Sequence, residues 1–357
     1  MDLQHICRGF FPDCRLLSQR EIPTGHINRS YHVRLQLSEG DCGDFLLQAL
    51  NPYVFPQGEQ VMENIGRITA HLWAKEPSGV HLRFYPAQEG NFLRQEGQLW
   101  RLCDYIPSLS YEKAPSVALA QQHGQAFGHF LQLLSDFPAE QLHETIPHFH
   151  DTQQRFAALW HTVEADPCGL AASLSAELKL LSQLQEEACG LCRLLQQGAL
   201  PLRVCHNDTK ISNVLFDRDS AEALCVIDLD TVMPGLAAYD FGDAIRSSAN
   251  TRAEDCPDPS QVRLDLEIFR AFAQGYLREC AAALSPLEQE TLALGAFCIT
   301  TEQAVRFLDD YLQGSLYFRI DYPEHNLYRA RCQLALAQDM RRKLPQMQNI
   351  VAELIEA

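Results

Sequence analysis

Four polar residues with chemistry to offer crowd one short run, VCHNDTKISNVLFD: His206, Asp208, Lys210 and Asn213. A fifth, Asp228, ends the apolar run LCVID. A placed carboxylate such as Asp208 can accept a proton from an attacking hydroxyl. Asn213 and Asp228 offer the hard oxygen ligands that magnesium takes alongside waters and phosphate oxygens. Lys210 can meet a transferred phosphoryl group. Together these are parts for phosphoryl transfer. One such residue alone would read as a polar cap on a surface turn, where Asp and Asn are common. The full set, placed between apolar strands, asks for more.

The elements that must position these residues are legible nearby. NVLFD reads as a strand, RDSAEA as a turn and LCVIDLD as a second strand. The two ends of a hairpin lie close together, so Asp208 and Asn213 before it can meet Asp228 after it. Asp230 alternates onto the same strand face as Asp228, where it could bind a sugar or a second ion. Upstream, Ser30–Leu37 and Asp44–Leu50 read as strands joined by a turn, and two more flank the turn Gln95–Gln98. Val61, Ile65, Ile68 and Leu72 give Gln60–Lys75 helical spacing. Pro107 and the serines after Asp104 mark a change of style. Beyond them the chain reads as helices over Ser116–Phe137, Thr152–His161, Leu174–Gln197, Leu264–Leu277, Pro286–Leu312 and Asn326–Arg342. The strands of Leu202–Leu229 interrupt this series. Ser285 and Glu288 form a capping box. The expected fold class is α+β in two lobes. Residues 1–105 form a small β-rich nucleotide-binding lobe, and residues 106–357 a larger, mainly helical catalytic and acceptor-binding lobe.

Composition narrows the partners. The 357 residues are 46% hydrophobic, enough for a sizeable core. A net charge of −17 argues against general nucleic-acid binding, which needs a basic face. It leaves a nucleotide ligand open, since a local cation or metal can reverse the field in a cleft, and it would suit a cationic substrate. No apolar stretch approaches the roughly 18 residues of a membrane span. The N-terminal stretch lacks a basic region followed by a long apolar one, so no signal peptide is expected. Thirteen cysteines without a compact disulfide framework fit a reducing cytoplasm. Cys189 and Cys192, in CGLC, have the spacing of a redox or zinc pair, but their context reads as buried helix. Nothing in the sequence sets an oligomeric state.

HNDTKISN resembles the kinase catalytic loop H-x-D-x-K-x-x-N, and VIDLD resembles the strand carrying the second magnesium-binding aspartate. The pair is similar to the aminoglycoside phosphotransferase and choline kinase superfamily, which has a protein-kinase-like fold. More narrowly, HNDTKISNVLFD, IDLDTVMPGLAAYDFGDAIRSSANT, VMENI and VRFLDDYLQGSLYFRIDYPEHNLYRARCQ resemble the N-acetylhexosamine 1-kinases, from about Gly25 to Met340. That resemblance implies ATP as co-substrate, Mg2+ as cofactor and an amino sugar as acceptor. Its reaction phosphorylates the anomeric hydroxyl of GlcNAc or GalNAc to an α-1-phosphate, in the cytoplasm. It implies Asp208 as base, Lys210 beside it and His206 as support, with Asn213 and Asp228 as metal ligands. Gly25, Gln48, Cys103 and Tyr105 fall to the nucleotide, the last two through backbone groups of Leu102–Ile106. Arg306 and Tyr317, with Asp228, fall to the sugar.

Several readings stay open beside these. YDFGD spells the kinase DFG motif, yet it follows the hairpin, so Asp228 is the better metal ligand and Asp240 reads as a brace for the catalytic loop. Gln48 stands where kinases carry a phosphate-binding lysine, and the only lysine in the first hundred residues is Lys75. Glu63 would hydrogen-bond Gln48 or face solvent. Trp100 and Tyr105 could be core. Arg306 could instead form a surface ion pair with Asp309 or Asp310. The alternatives to a sugar kinase are an aminoglycoside- or choline-type kinase on the same fold, or a non-catalytic nucleotide-binding module.

Overall fold

A computed structural model describes residues 2–22, 27–37, 40–87 and 90–356. Strands β1 (Arg15–Ile22), β2 (Arg29–Gln36), β3 (Cys42–Ala49), β4 (Leu93–Gln95) and β5 (Gln98–Asp104) form an antiparallel sheet in the order β1-β2-β3-β5-β4. Side chains alternate across it, as a period of two demands. Val33, Leu35, Phe45, Leu47, Trp100 and Leu102 pack on one face with the short helix α1 (Leu3–Arg8). Leu50, Leu99 and Cys103 pack with Val61, Ile65, Ile68 and Leu72 of α2 (Gly58–Lys75). Arg101, between Trp100 and Leu102, therefore falls on the α2 face, directly opposite Gln48.

The rest is mainly helical: α3 (Val117–Leu133), α4 (Thr152–Ala165), α5 (Ser175–Ala188) and α6 (Gly190–Gln196), then α7 (Ala237–Ser248), α8 (Leu266–Cys280), α9 (Pro286–Leu312) and α10 (His325–Glu356). Between α6 and α7 lie two short antiparallel ladders. One pairs β6 (Arg203–Cys205) with β9 (Met233–Gly235), the other β7 (Val214–Phe216) with β8 (Ala223–Val226). The box at the start of α9 is reciprocal. The Ser285 hydroxyl takes the Glu288 N–H and the Glu288 carboxylate takes the Ser285 N–H. Among the described residues no helix is long and apolar enough to cross a membrane.

Several elements depart from the sequence reading, the short α1 and β9 among them. Leu174–Gln197 is two helices, broken at Cys189 just before Gly190, a poor helix former. The last helix runs past Arg342 to Glu356 and carries Pro345 within it. β1 was not expected because its residues are mostly exposed and carry no apolar alternation. α7 was not expected, and every residue from Ala237 to Ile245 is buried, so its polar residues Asp240 and Asp243 meet the loop and not solvent.

Helix α7 can be enclosed because it meets α9 through glycine. A Cβ on Gly242 would overlap the carbonyl of Gly295, and a Cβ on Gly295 would overlap the carbonyl of Ala238. The glycine of the DFG-like run thus serves helix packing. Gly242→Ala should push α7 off α9 and cost about 1–3 kcal/mol, the usual range for an overpacked core. Urea unfolding measures this, and an unchanged midpoint would mean that the two helices can separate freely.

Candidate active site

Strand β6 delivers the chain into a loop held by helix α7. The Asp240 carboxylate accepts the backbone N–H groups of His206 and Asn207, both at 2.7 Å. The Thr209 hydroxyl donates to the Asp240 carbonyl at 2.6 Å, and its N–H donates to Asp243 at 2.9 Å. Asn207 turns the chain at φ 62°, a left-handed conformation that Asn tolerates better than most residues. Its amide donates to the carbonyls of Cys205 and Thr231 at 3.1 and 3.0 Å. The His206 ring is fully buried. It accepts the Asp208 N–H at Nδ1, 3.3 Å away, and donates from Nε2 to the Ile227 carbonyl at 2.9 Å. Both ring nitrogens are thus spent on backbone, and His206 braces the loop.

The hairpin brings the remaining groups together. Val214 pairs with Val226, and the Ile227 N–H donates to the Asn213 carbonyl at 2.9 Å. Asp228 then leaves the strand in a left-handed conformation, φ 61°. The Asn213 amide donates to the Asp208 carbonyl at 2.8 Å and to its carboxylate at 3.0 Å, which orients the carboxylate. The Lys210 ammonium lies 3.0 Å from the same oxygen. Burial pushes the Asp208 carboxyl up, but Lys210 and the Asn213 bond outweigh it and hold it below the usual range. The Asp208 charge in turn raises Lys210. Asp228 is pushed up to about 7 by burial and by the charges of Asp230 and Asp208. A carboxylate held up by two like charges suits a cation. Asp228 and the Asn213 side-chain oxygen, which accepts no hydrogen bond from a described residue, are a donor set that fits magnesium. Among the described residues no three His, Cys, Asp or Glu form a closed metal cage. Magnesium asks for none, since it retains waters and phosphate oxygens.

Asp230 is occupied by protein. One of its oxygens takes a hydrogen bond from Arg101 Nη1, and the other takes one from the Asn28 amide at 2.6 Å. Gln48 accepts from Arg101 Nε at 2.9 Å and donates to Ser30 Oγ at 2.9 Å. Glu63 leaves Gln48 alone and meets His143 at 2.7 Å on the surface. Arg101 was not singled out from sequence. Its one signal is a charge in the middle of the apolar strand LWRLC.

The other nucleotide candidates are placed unevenly. Gly25 lies outside the described residues. Cys103 is core, paired with Leu46 in the sheet, and burial pushes its thiol up to about 12. Trp100 is core as well. Tyr105 stacks on His32 with ring centroids 4.0 Å apart. The N–H groups of Asp104 and Tyr105 already donate to Arg83 and Asp44 carbonyls, each at 3.2 Å, so they are not free for an adenine.

Arg306 makes no ion pair with Asp309 or Asp310. Its guanidinium lies over the rings of Phe149 and Phe318, at 5.0 and 5.6 Å, and donates to Gln303 at 3.1 Å. Asp310 is engaged elsewhere. It accepts the backbone N–H groups of Leu316, Tyr317 and Phe318 at 2.8–3.0 Å and so fixes the loop that presents Tyr317, which is 46% exposed. One turn before Arg306 on α9, Glu302 accepts from His150 at 2.9 Å, and the other ring nitrogen of His150 meets the Asn207 carbonyl at 3.2 Å. The acceptor candidates and the candidate catalytic loop are therefore linked through His150 and Glu302, which the sequence did not single out. Cys189 and Cys192 are free thiols in the core.

A β-rich lobe over a helical one, with a half-buried carboxylate and lysine and a buried asparagine on one loop, is the arrangement of a small-molecule phosphotransferase. The chain matches the phosphotransferase enzyme family over residues 18–284, more than half its length, and belongs to that family, which joins the aminoglycoside kinases with the choline and ethanolamine kinases. It is 25% identical to ethanolamine kinase 2 of Mus musculus over 196 residues, 53% of this chain and 48% of the relative. The chain thus spans about half the length of the curated relatives it matches. Among solved structures it is similar to a microcompartment-associated aminopropanol kinase (TM-score 0.62, 17% identity, 97% of this chain and 98% of the other). It also resembles a choline kinase from Cryptosporidium parvum (0.59, 13%, 99% of each). A spectinomycin phosphotransferase in complex with ADP and spectinomycin is similar too (0.57, 14%, 96% and 98%). Identities this low show the shared kinase-like fold and nothing finer.

The loop also rests on a buried histidine. His123 of α3 donates from Nε2 to the Thr209 carbonyl at 2.8 Å, and burial lowers its pKa to about 4. The folded protein holds it neutral, while the unfolded chain takes up a proton below about pH 6.5. Its contribution is therefore complete above that pH and is lost as pH falls toward 4, to a total of about 3 kcal/mol. Urea unfolding at pH 7 and pH 5 should show a loss about 2 kcal/mol greater than in His123→Gln, which cannot titrate. Parallel losses would mean that folding leaves this histidine's titration unchanged.

Proposed function

We propose that the protein transfers the γ-phosphoryl group of ATP to the anomeric hydroxyl of an N-acetylhexosamine, GlcNAc or GalNAc, giving the α-1-phosphate. The observation that carries the transfer chemistry is the Asp208 carboxylate, fixed by Asn213 and Lys210 in a partly exposed pocket that also holds Asp228. Asp208 accepts the proton as the acceptor oxygen attacks phosphorus. Lys210 offsets the charge gathered there. Asn213 Oδ1 and the Asp228 carboxylate would hold magnesium, which when bound neutralises phosphate oxygens.

The acceptor class rests on the sequence resemblance and on the polar groups around Arg306. Arg306 stands near a second guanidinium, that of Arg155, whose protonated form is disfavoured by burial and then by Arg306. The carboxylates of Glu302 and Asp309 lie in the same neighbourhood, and this mix of donors and acceptors suits an acceptor rich in hydroxyl and amide groups. Arg306 keeps donors for their oxygens, and the exposed Tyr317 offers a ring face and a hydroxyl. The rival reading, a choline-, ethanolamine- or aminoglycoside-type kinase, draws on the net charge of −17 and on the ethanolamine kinase similarity.

An acceptor panel decides between them. ADP release with GlcNAc, GalNAc, glucose, galactose, kanamycin, choline and ethanolamine should give the highest kcat/KM for the N-acetyl sugars. Turnover confined to kanamycin, choline or ethanolamine would sink the sugar assignment. Asp208→Asn should lower kcat by roughly 10²–10⁴-fold while ATP still binds, and near-normal turnover would remove Asp208 as base. Arg306→Ala should raise the acceptor KM and leave the ATP KM nearly unchanged. An effect on melting temperature alone would make Arg306 structural.

A further inference from the structure

In kinases a lysine on the third strand pairs with the nucleotide phosphates. Here that position holds Gln48, a neutral residue. Lys75 cannot substitute, because it lies in the last turn of α2 and is paired with Asp136 on the surface. We propose that the missing charge has moved one strand over: Arg101 of β5 donates to the phosphate oxygens of the bound nucleotide, and Gln48 is the residue that aims it. The proposal rests on the phosphotransfer reading above but not on the identity of the acceptor.

Five observations carry it. Gln48 and Arg101 are Cα partners across the β3–β5 ladder, so both side chains leave the same sheet face one strand spacing apart. Gln48 is itself pinned by Ser30, and its carbonyl oxygen holds the Arg101 Nε. Nη1 reaches the carboxylate of Asp230, two residues from the metal candidate Asp228, which places the guanidinium in the cleft where the phosphates must lie. Nη2 makes no hydrogen bond to a described residue, so its two N–H groups remain for an anionic oxygen. Arg101 is also 2% exposed. A guanidinium is seldom buried without strong partners, and the negative charges of Asp230 and Asp228 favour it here. The rival explanation is a clasp, in which Arg101 only ties the sheet to Asp230.

Nucleotide binding without acceptor separates the two. Calorimetric titration with the non-hydrolysable analogue AMP-PNP and magnesium should show Arg101→Gln weakened by at least about tenfold, the worth of one charged hydrogen bond. Arg101→Lys should lose less. The double variant Gln48→Lys/Arg101→Gln, which returns the charge to β3, should recover most of the affinity. In turnover assays the ATP KM should follow the same order while the acceptor KM moves little. Thermal unfolding of each variant reports the clasp separately. If Arg101→Gln does not fold, Arg101→Lys and the double variant carry the comparison. Affinity within about twofold of wild type in folded Arg101→Gln, or a double variant no better than Arg101→Gln, would overturn the proposal and leave a clasp. Wild-type protein that failed to bind AMP-PNP would overturn the phosphotransfer reading as well. A negative acceptor panel would touch only the sugar assignment.

Discussion

The candidate catalytic loop depends on one buried carboxylate. Asp240 takes two successive backbone N–H groups, those of His206 and Asn207, and so holds open a turn whose φ of 62° the chain would otherwise relax. Burial raises its pKa to about 6, while those two N–H donors favour the charged form. The carboxylate reaches the loop because α7 lies deep in the lobe, and α7 lies deep because Gly242 and Gly295 let two backbones touch. A helix contact made by residues without side chains thus sets where Asp208 points.

Charge organises the space above the loop. Asp208, Asp228 and Asp230 repel one another in a half-buried pocket, and Lys210 and Arg101 offset them. Lys210 comes from the loop itself, whereas Arg101 comes from the sheet. The second pairing, with the Asn28 amide on the other oxygen of Asp230, joins the small lobe to the large one at the point where the candidate metal ligand stands. The joint between the lobes and the electrostatics of the site are the same group of atoms.

Helix α9 carries the same logic to the acceptor side. It starts at a capping box, crosses α7 at Gly295, and holds Glu302 and then Arg306 on successive turns. Glu302 and Thr152 share a bond of 2.7 Å, and His150 passes the contact on to the Asn207 carbonyl. One rigid element therefore fixes both the loop and the candidate acceptor residues, which limits how far the two can drift apart.

Much of this was legible in the sequence because it is local. Asp208, Lys210 and Asn213 lie on one loop, and the hairpin that returns Asp228 to them is written in two apolar runs and a polar turn. Helix α2 showed its stripe, and α9 showed its cap. What the sequence left unread has no local pattern. Helix α7 is buried on every side, and only the fold shows that its polar residues Asp240 and Asp243 face the loop instead of solvent. Arg101 gains its meaning from Gln48 across a ladder and from Asp230, which lies 129 residues away. His150 gains its meaning from Glu302, 152 residues away. The loop's residue types and their spacing were determined by the sequence alone, because hydrogen-bonding capacity and short-range geometry travel with the chain. Which charges offset them, and which helix holds them in place, was decided only when burial brought distant residues into a low-dielectric space where an unpaired polar group is costly.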